Sequence, residues 1–152
     1  AISVFSAGLM GRLLIGKGDF QFFVAGGPLV CPVNIALTGS TASGGTTLTG
    51  SGNFSSLALG GQAQVGLDWH LGDTFVVSPV AGYQLAGAGS FPGTLSASGG
   101  GFSGSSSGQL EFSTGTNTIY FLADGQTPAS GDRPLQVDLS GVYGGVQISA
   151  FF

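Results

Sequence analysis

Residues 57–86, LALGGQAQVGLDWHLGDTFVVSPVAGYQLA, decide the fold. Odd positions from Leu57 through Leu59, Gly61, Ala63, Val65, Leu67 and Trp69 to Leu71 are all apolar or Gly. Even positions, Ala58, Gly60, Gln62, Gln64, Gly66, Asp68 and His70, are small or polar. A period of 2 held from 57 to 71 predicts a strand and excludes a helix. It is far longer than the usual strand of roughly 5 or 6 residues. Gly72-Asp73 is a turn signal, and alternation resumes from Thr74. Phe75, Val77, Pro79, Ala81, Tyr83 and Leu85 share one face, with Val76, Ser78, Val80, Gly82, Gln84 and Ala86 on the other. The stretch reads as a long β-hairpin.

Composition asks what each face touches. Only 7% of the 152 residues are charged, against about 25% in an ordinary soluble domain. Hydrophobic residues make up 42%, and 30 residues are Gly. No uninterrupted apolar run is long enough for a transmembrane helix. Long amphipathic strands instead suit a barrel in lipid, whose backbone groups are satisfied from strand to strand. Apolar side chains would then meet hydrocarbon. Arg12, Gln62, Gln64, Asp68, His70, Gln84 and Gln147 would face the lumen.

The remaining segments extend this pattern. SVFSAGLMGRLLIGKGDFQFFVAGGPLV, residues 3–30, reads as a hairpin about Gly16–Asp19, its alternation blurred by Phe23 and Leu29. Residues 39–56 and 88–108 are rich in Gly, Ser and Thr and suit long loops, parts of which extend the strands. QLEFSTGTNTIYFLADG is a third candidate hairpin, and DGQTPASGDRP a polar loop. Short turns alternating with long loops match periplasmic turns and extracellular loops. In VDLSGVYGGVQISAFF, Val142, Gly144, Val146, Ile148, Ala150 and Phe152 share a face. The phase slips relative to Leu135, Val137 and Leu139, which predicts a bulge near Ser140-Gly141.

That final strand, with alternate apolar residues ending in Phe152, resembles the signal by which bacterial outer-membrane barrels are recognised for assembly. AQVGLDWHLGDTFVVSPVAGYQLA is likewise similar to the penultimate hairpin of small outer-membrane β-barrels of the OmpA/OmpW-like kind. The resemblance implies an all-β, antiparallel, up-and-down transmembrane β-barrel of eight strands in the bacterial outer membrane. It also implies contact with membrane lipid and with the barrel assembly machinery, through Val146, Ile148, Ala150 and Phe152. Phe20, Phe22, Trp69 and Phe75 flank the tight turns, and Phe151 and Phe152 end the last strand. Together they form an expected aromatic girdle at one membrane interface.

Strands are expected at about 2–15, 20–32, 56–71, 74–87 and 135–152, with GQLEFST and NTIYFLA adding two. Bacterial single-chain barrels have an even number of strands. The single barrel domain over 1–152 is therefore expected to lack one or more N-terminal strands, or to pair its open edges with another chain. Arg12 and Asp68 each lie four residues before their turns and should stand at similar height as a pair, completed by His70 or Gln21.

Other chemistries find little footing. Asp68 and His70 share a strand face, but no Ser is marked as their nucleophile, so no enzymatic site is expected. One His and one Cys supply too few ligands for a metal site, and no cofactor motif is present. Cys31 reads as a packed apolar side chain. Net charge is −4 with only three Lys and Arg, which excludes a basic nucleic-acid footprint. The expected role is structural, adhesive or that of a narrow channel. An extracellular β-rich fibre or sheath subunit is the alternative, and a lipocalin-like soluble barrel lacks the charged exterior it would need.

Overall fold

The computed structural model describes residues 1–43 and 45–150, and the side chain of residue 43 is not considered. The described residues hold twelve strands and no helix. In chain order these are β1 (Ile2–Val4), β2 (Ala7–Gly8), β3 (Gly11–Ile15), β4 (Phe20–Ser43), β5 (Thr46–Leu71) and β6 (Phe75–Gly89). There follow β7 (Phe91–Gly99), β8 (Phe102–Ser113), β9 (Thr118–Ala123), β10 (Arg133–Pro134), β11 (Gln136–Asp138) and β12 (Gly141–Ala150). Internal contacts divide the chain into two compact units. Unit 1 comprises Ala1–Phe5, Cys31–Ala58 and Ala88–Val137; unit 2 comprises Ser6–Val30, Leu59–Gly87 and Asp138–Phe152.

Unit 2 holds the decisive hairpin. Leu71 pairs with Phe75 and Leu59 with Gly87, so Gly72-Asp73-Thr74 is the whole loop. Gly72 adopts φ +69° there, a left-handed conformation that a Cβ disfavours. β3 pairs antiparallel with β4, from Ile15↔Phe22 to Gly11↔Gly26, around a turn in which Gly16 and Gly18 take positive φ. β12 pairs antiparallel with β6, from Gly141↔Gln84 to Ala150↔Phe75. In place of the expected bulge there is a break between β11 and β12, where the Asp138 carboxylate accepts the Ser140 backbone N–H at 2.8 Å. Gln84 Nε2 donates to the Leu139 carbonyl at 2.7 Å and covers the break.

Unit 1 corrects the expected loops. Residues 39–43 and 46–56 continue β4 and β5, and residues 88–108 lie largely in β6, β7 and β8. Gly, Ser and Thr dominate there, with large apolar groups only at Leu48, Phe54, Phe91, Leu95 and Phe102, so hydropathy gives no sustained period. The backbone pairs nonetheless, from Thr49↔Ser98 to Phe54↔Gly93 and from Phe91↔Leu110 to Gly99↔Phe102. Thr is itself favoured on a pleated surface. The third hairpin is present, with Ser113↔Thr118 and Gly108↔Ala123. Its core is conventional: Val33, Phe54, Phe91 and Leu110 are buried, and the Phe54 and Phe121 rings meet at 5.9 Å.

The sheet is antiparallel and open. Its ladders run as a path with side branches and do not return on themselves among the described residues, unlike the closed eight-stranded ring expected. The reason is one of direction. In unit 2 the order β3–β4–β5–β6–β12 alternates, so the outer strands β3 and β12 run the same way. They cannot pair with each other antiparallel.

Candidate functional site: a polar sheet face behind an apolar one

Partners in an antiparallel ladder share a face, so the register sorts every side chain of β5, β6 and β12. One face carries the rows Gln62–Gln84–Gly141, Gln64–Gly82–Tyr143, Gly66–Val80–Gly145 and His70–Val76–Ser149. Asp68 falls in the same phase, as does Ser78, which pairs with Gln147. The other face carries Ala63–Tyr83–Val142, Val65–Ala81–Gly144, Trp69–Val77–Ile148 and Leu71–Phe75–Ala150. The first face holds polar and small groups with Val76 and Val80 among them, and the second is apolar apart from the Tyr83 hydroxyl.

Exposure inverts the rule for proteins in water. Leu59, Val65, Trp69, Tyr83, Leu85, Val142, Val146 and Ile148 are all exposed, Val142 at 87%. Asp68 and Ser78, on the opposite face, are buried at 5% and 2%. Large apolar patches on a soluble monomer rarely exceed a few hundred Å². Charge follows the same division. Apart from Arg12 and Asp68, the charged residues of unit 2 are Lys17, Asp19 and Asp73 in the turns and Asp138 at the strand break.

All seven polar residues expected to face a lumen lie on this one face, and two of them form its chemical centre. Arg12 on β3 and Asp68 on β5 form an ion pair. Ser78 Oγ donates to the same Asp68 Oδ1 at 2.5 Å. The Arg12 guanidinium also sits 3.5 Å from the centre of the Phe23 ring, a cation–π contact strengthened where water is excluded. Gly66 admits that ring: a Cβ there would stand 2.4 Å from Phe23 Cζ and 2.8 Å from the Pro79 carbonyl oxygen. Phe23 and Leu29, which blur the alternation of β4, are both buried on its inner face.

Neither residue expected to complete the pair does so. His70 and Gln21 line a cavity with Asp19 and Asp73 at the turn end of unit 2. Among the described residues, the His70 Nε2 buried there has no hydrogen-bond partner. Ser78 takes the role instead. Its signal was in the hairpin count, since Asp68 lies three before Leu71, and Ser78 three after Phe75. Tyr143 was also missed: its hydroxyl bonds Gln64 Oε1 at 3.2 Å, reaching across Gly82, where a Cβ would be 2.5 Å from the ring. Gln147 shares the polar face but is exposed.

Of the expected girdle, Phe20, Phe22, Trp69 and Phe75 are exposed near the two turns. Phe20 and Trp69 stack with centroids 5.8 Å apart. Phe151 and Phe152 lie outside the described residues. Val146, Ile148 and Ala150 are exposed on the apolar face of β12. Among the described residues, no three His, Cys, Asp or Glu side chains are grouped to hold a metal.

Unit 1 buries a second carboxylate. Glu111 is 1% exposed and accepts the Gln109 Nε2 at 2.6 Å through Oε1, while Oε2 has no partner among the described residues. Nothing in composition marks it. No protein-family model, curated protein or solved structure matches this chain.

Proposed function

We propose that this chain forms part of the wall of a small transmembrane β-barrel in a bacterial outer membrane, eight-stranded when complete. Its apolar rows lie against lipid and its Arg12–Asp68–Ser78 face lines the interior. The observation that carries this is the inverted sheet of unit 2, with exposed apolar rows and, behind them, the buried Asp68 that pairs with Arg12. Length agrees. β12 has 10 residues, and a tilted strand needs about 9–11 to cross the hydrocarbon core. The role is structural, adhesive or that of a narrow channel, without catalysis or a cofactor. Val146, Ile148, Ala150 and Phe152 present the strand to the assembly machinery.

The outer edges of β3 and β12, unpaired among the described residues, favour a second reading, an extracellular fibre or sheath subunit whose strands continue into neighbours. Fractionation separates the two. A barrel protein stays with the outer membrane and is released by detergent as a discrete particle. A fibre subunit is shed, or sediments as polymer after detergent treatment.

A further inference from the structure

Unit 1 has the polarity of a sheet in water. Its buried side chains on β4, β5 and β7 are apolar, among them Val33, Ile35, Phe54 and Phe91. The alternate positions are polar and exposed, with Asn34 on β4, Ser51 and Asn53 on β5, and Ser96 and Thr94 opposite them on β7. One face on a core and one solvated is the usual arrangement of an antiparallel sheet. Unit 2 has the reverse arrangement.

The exposed face changes character within unit 1, and on three segments it does so at one level. Ser3 pairs with Asn34, and both line one groove with Ser55. Two residues along each segment, the same face carries Phe5, Pro32 and Leu57. The Phe5 N–H donates to the Pro32 carbonyl at 3.2 Å, and Pro32 and Leu57 line a common groove. Phe5 and Leu57 are exposed. From Leu57 to Leu71 this face of β5 is apolar or Gly at every position, and so is that of β4 from Pro32 back to Phe20.

We propose that the protein stands in two solvents. The lipid boundary crosses the sheet between the row Ser3–Asn34–Ser55 and the row Phe5–Pro32–Leu57. Acyl chains cover the exposed face up to Leu57, and beyond it the face meets headgroups and then water. This rests on the membrane reading above and gives the lipid-binding surface its edge. Length agrees: Phe20 to Pro32 spans about 40 Å along the strand, or about 28 Å once tilted by 45°, against an apolar band of about 25 Å. A fibre subunit packed against protein along its whole length gives three segments no reason to change polarity at one level.

The test uses three variants of the full chain, each with a single Trp. All carry Trp69→Phe, combined with Val65→Trp, Leu57→Trp or Asn53→Trp. The three sites are exposed on one face of β5, so the new ring displaces no packed neighbour. With the chain folded in vesicles, Val65→Trp should be quenched most by lipids brominated deep in the acyl chains. Leu57→Trp should be quenched most by lipids brominated near the headgroup. Asn53→Trp should escape both, and iodide should quench it several-fold more than Leu57→Trp. Equal quenching of Asn53→Trp and Leu57→Trp, whether by brominated lipid or by iodide, overturns the proposed boundary. If Val65→Trp is still quenched by lipid in that case, the membrane reading stands and only the boundary fails. Absence of lipid quenching at all three sites overturns both.

Discussion

Arg12 and Asp68, 56 residues apart in the chain, meet as an ion pair across β4 on the polar face of unit 2. Asp68 is nearly buried, while the Arg12 side chain keeps 35% of its exposure. Removing Arg12 alone leaves a buried carboxylate held only by Ser78, which costs more than replacing the pair by neutral groups. A double-mutant cycle with Arg12→Met and Asp68→Asn should give a coupling of about 1 kcal/mol or more in unfolding experiments. Additive effects would mean that the pair does no stabilising work.

Neighbouring residues of β5 should respond oppositely to the same substitution. Val65 is exposed on the apolar face and Gln64 lies on the polar face, bonded to Tyr143. A charge on a lipid-facing strand position costs roughly 2–4 kcal/mol near the bilayer midplane. Val65→Arg should therefore fold into vesicles in much lower yield than Gln64→Arg. Equal yields would remove the distinction between the faces.

The sequence made these two faces legible because β5 and β6 alternate cleanly and their turn is short. Once Leu71 and Phe75 are paired, the position of every residue from Leu59 to Gly87 follows. β4 was harder, because Phe23 and Phe22 place large apolar groups on both faces. The Ser-, Thr- and Gly-rich strands of unit 1 look in sequence like long loops that only in part extend the strands, since their pairing rests on backbone groups and leaves no sustained hydropathic period. The alternation puts Ser78 on the correct face but does not single it out as the partner of Asp68, because several Ser, Gln and His side chains share that face. Strand closure was beyond local pattern altogether, since edge direction depends on which strands become neighbours.

Packing on the polar face should be intolerant of one added methyl group. At Gly66 a Cβ would overlap the Phe23 ring and stand close to the Pro79 backbone. Gly66→Ala should cost about 1–3 kcal/mol, as overpacking does. Phe23→Leu in the same chain should restore part of the loss. No loss from Gly66→Ala would show that Phe23 is not seated over that glycine.

In unit 1, Glu111→Gln should raise stability. The substitution keeps a carbonyl oxygen for Gln109 Nε2 and removes a buried carboxylate that makes no ion pair among the described residues. The expected gain is about 1 kcal/mol, read as a higher denaturant midpoint with an unchanged slope. A lower midpoint would indicate a partner for Oε2 that the carboxylate requires.

Trp69 is the chain's single Trp and is exposed on the apolar face beside Phe20, so its fluorescence reports directly on what that face touches. With the chain folded in vesicles, lipids brominated near the headgroup should quench Trp69 strongly. Lipids brominated deep in the acyl chains should quench it less, and iodide in the water little. Strong iodide quenching with no effect of brominated lipid would place the apolar face in water or against protein and contradict the membrane assignment.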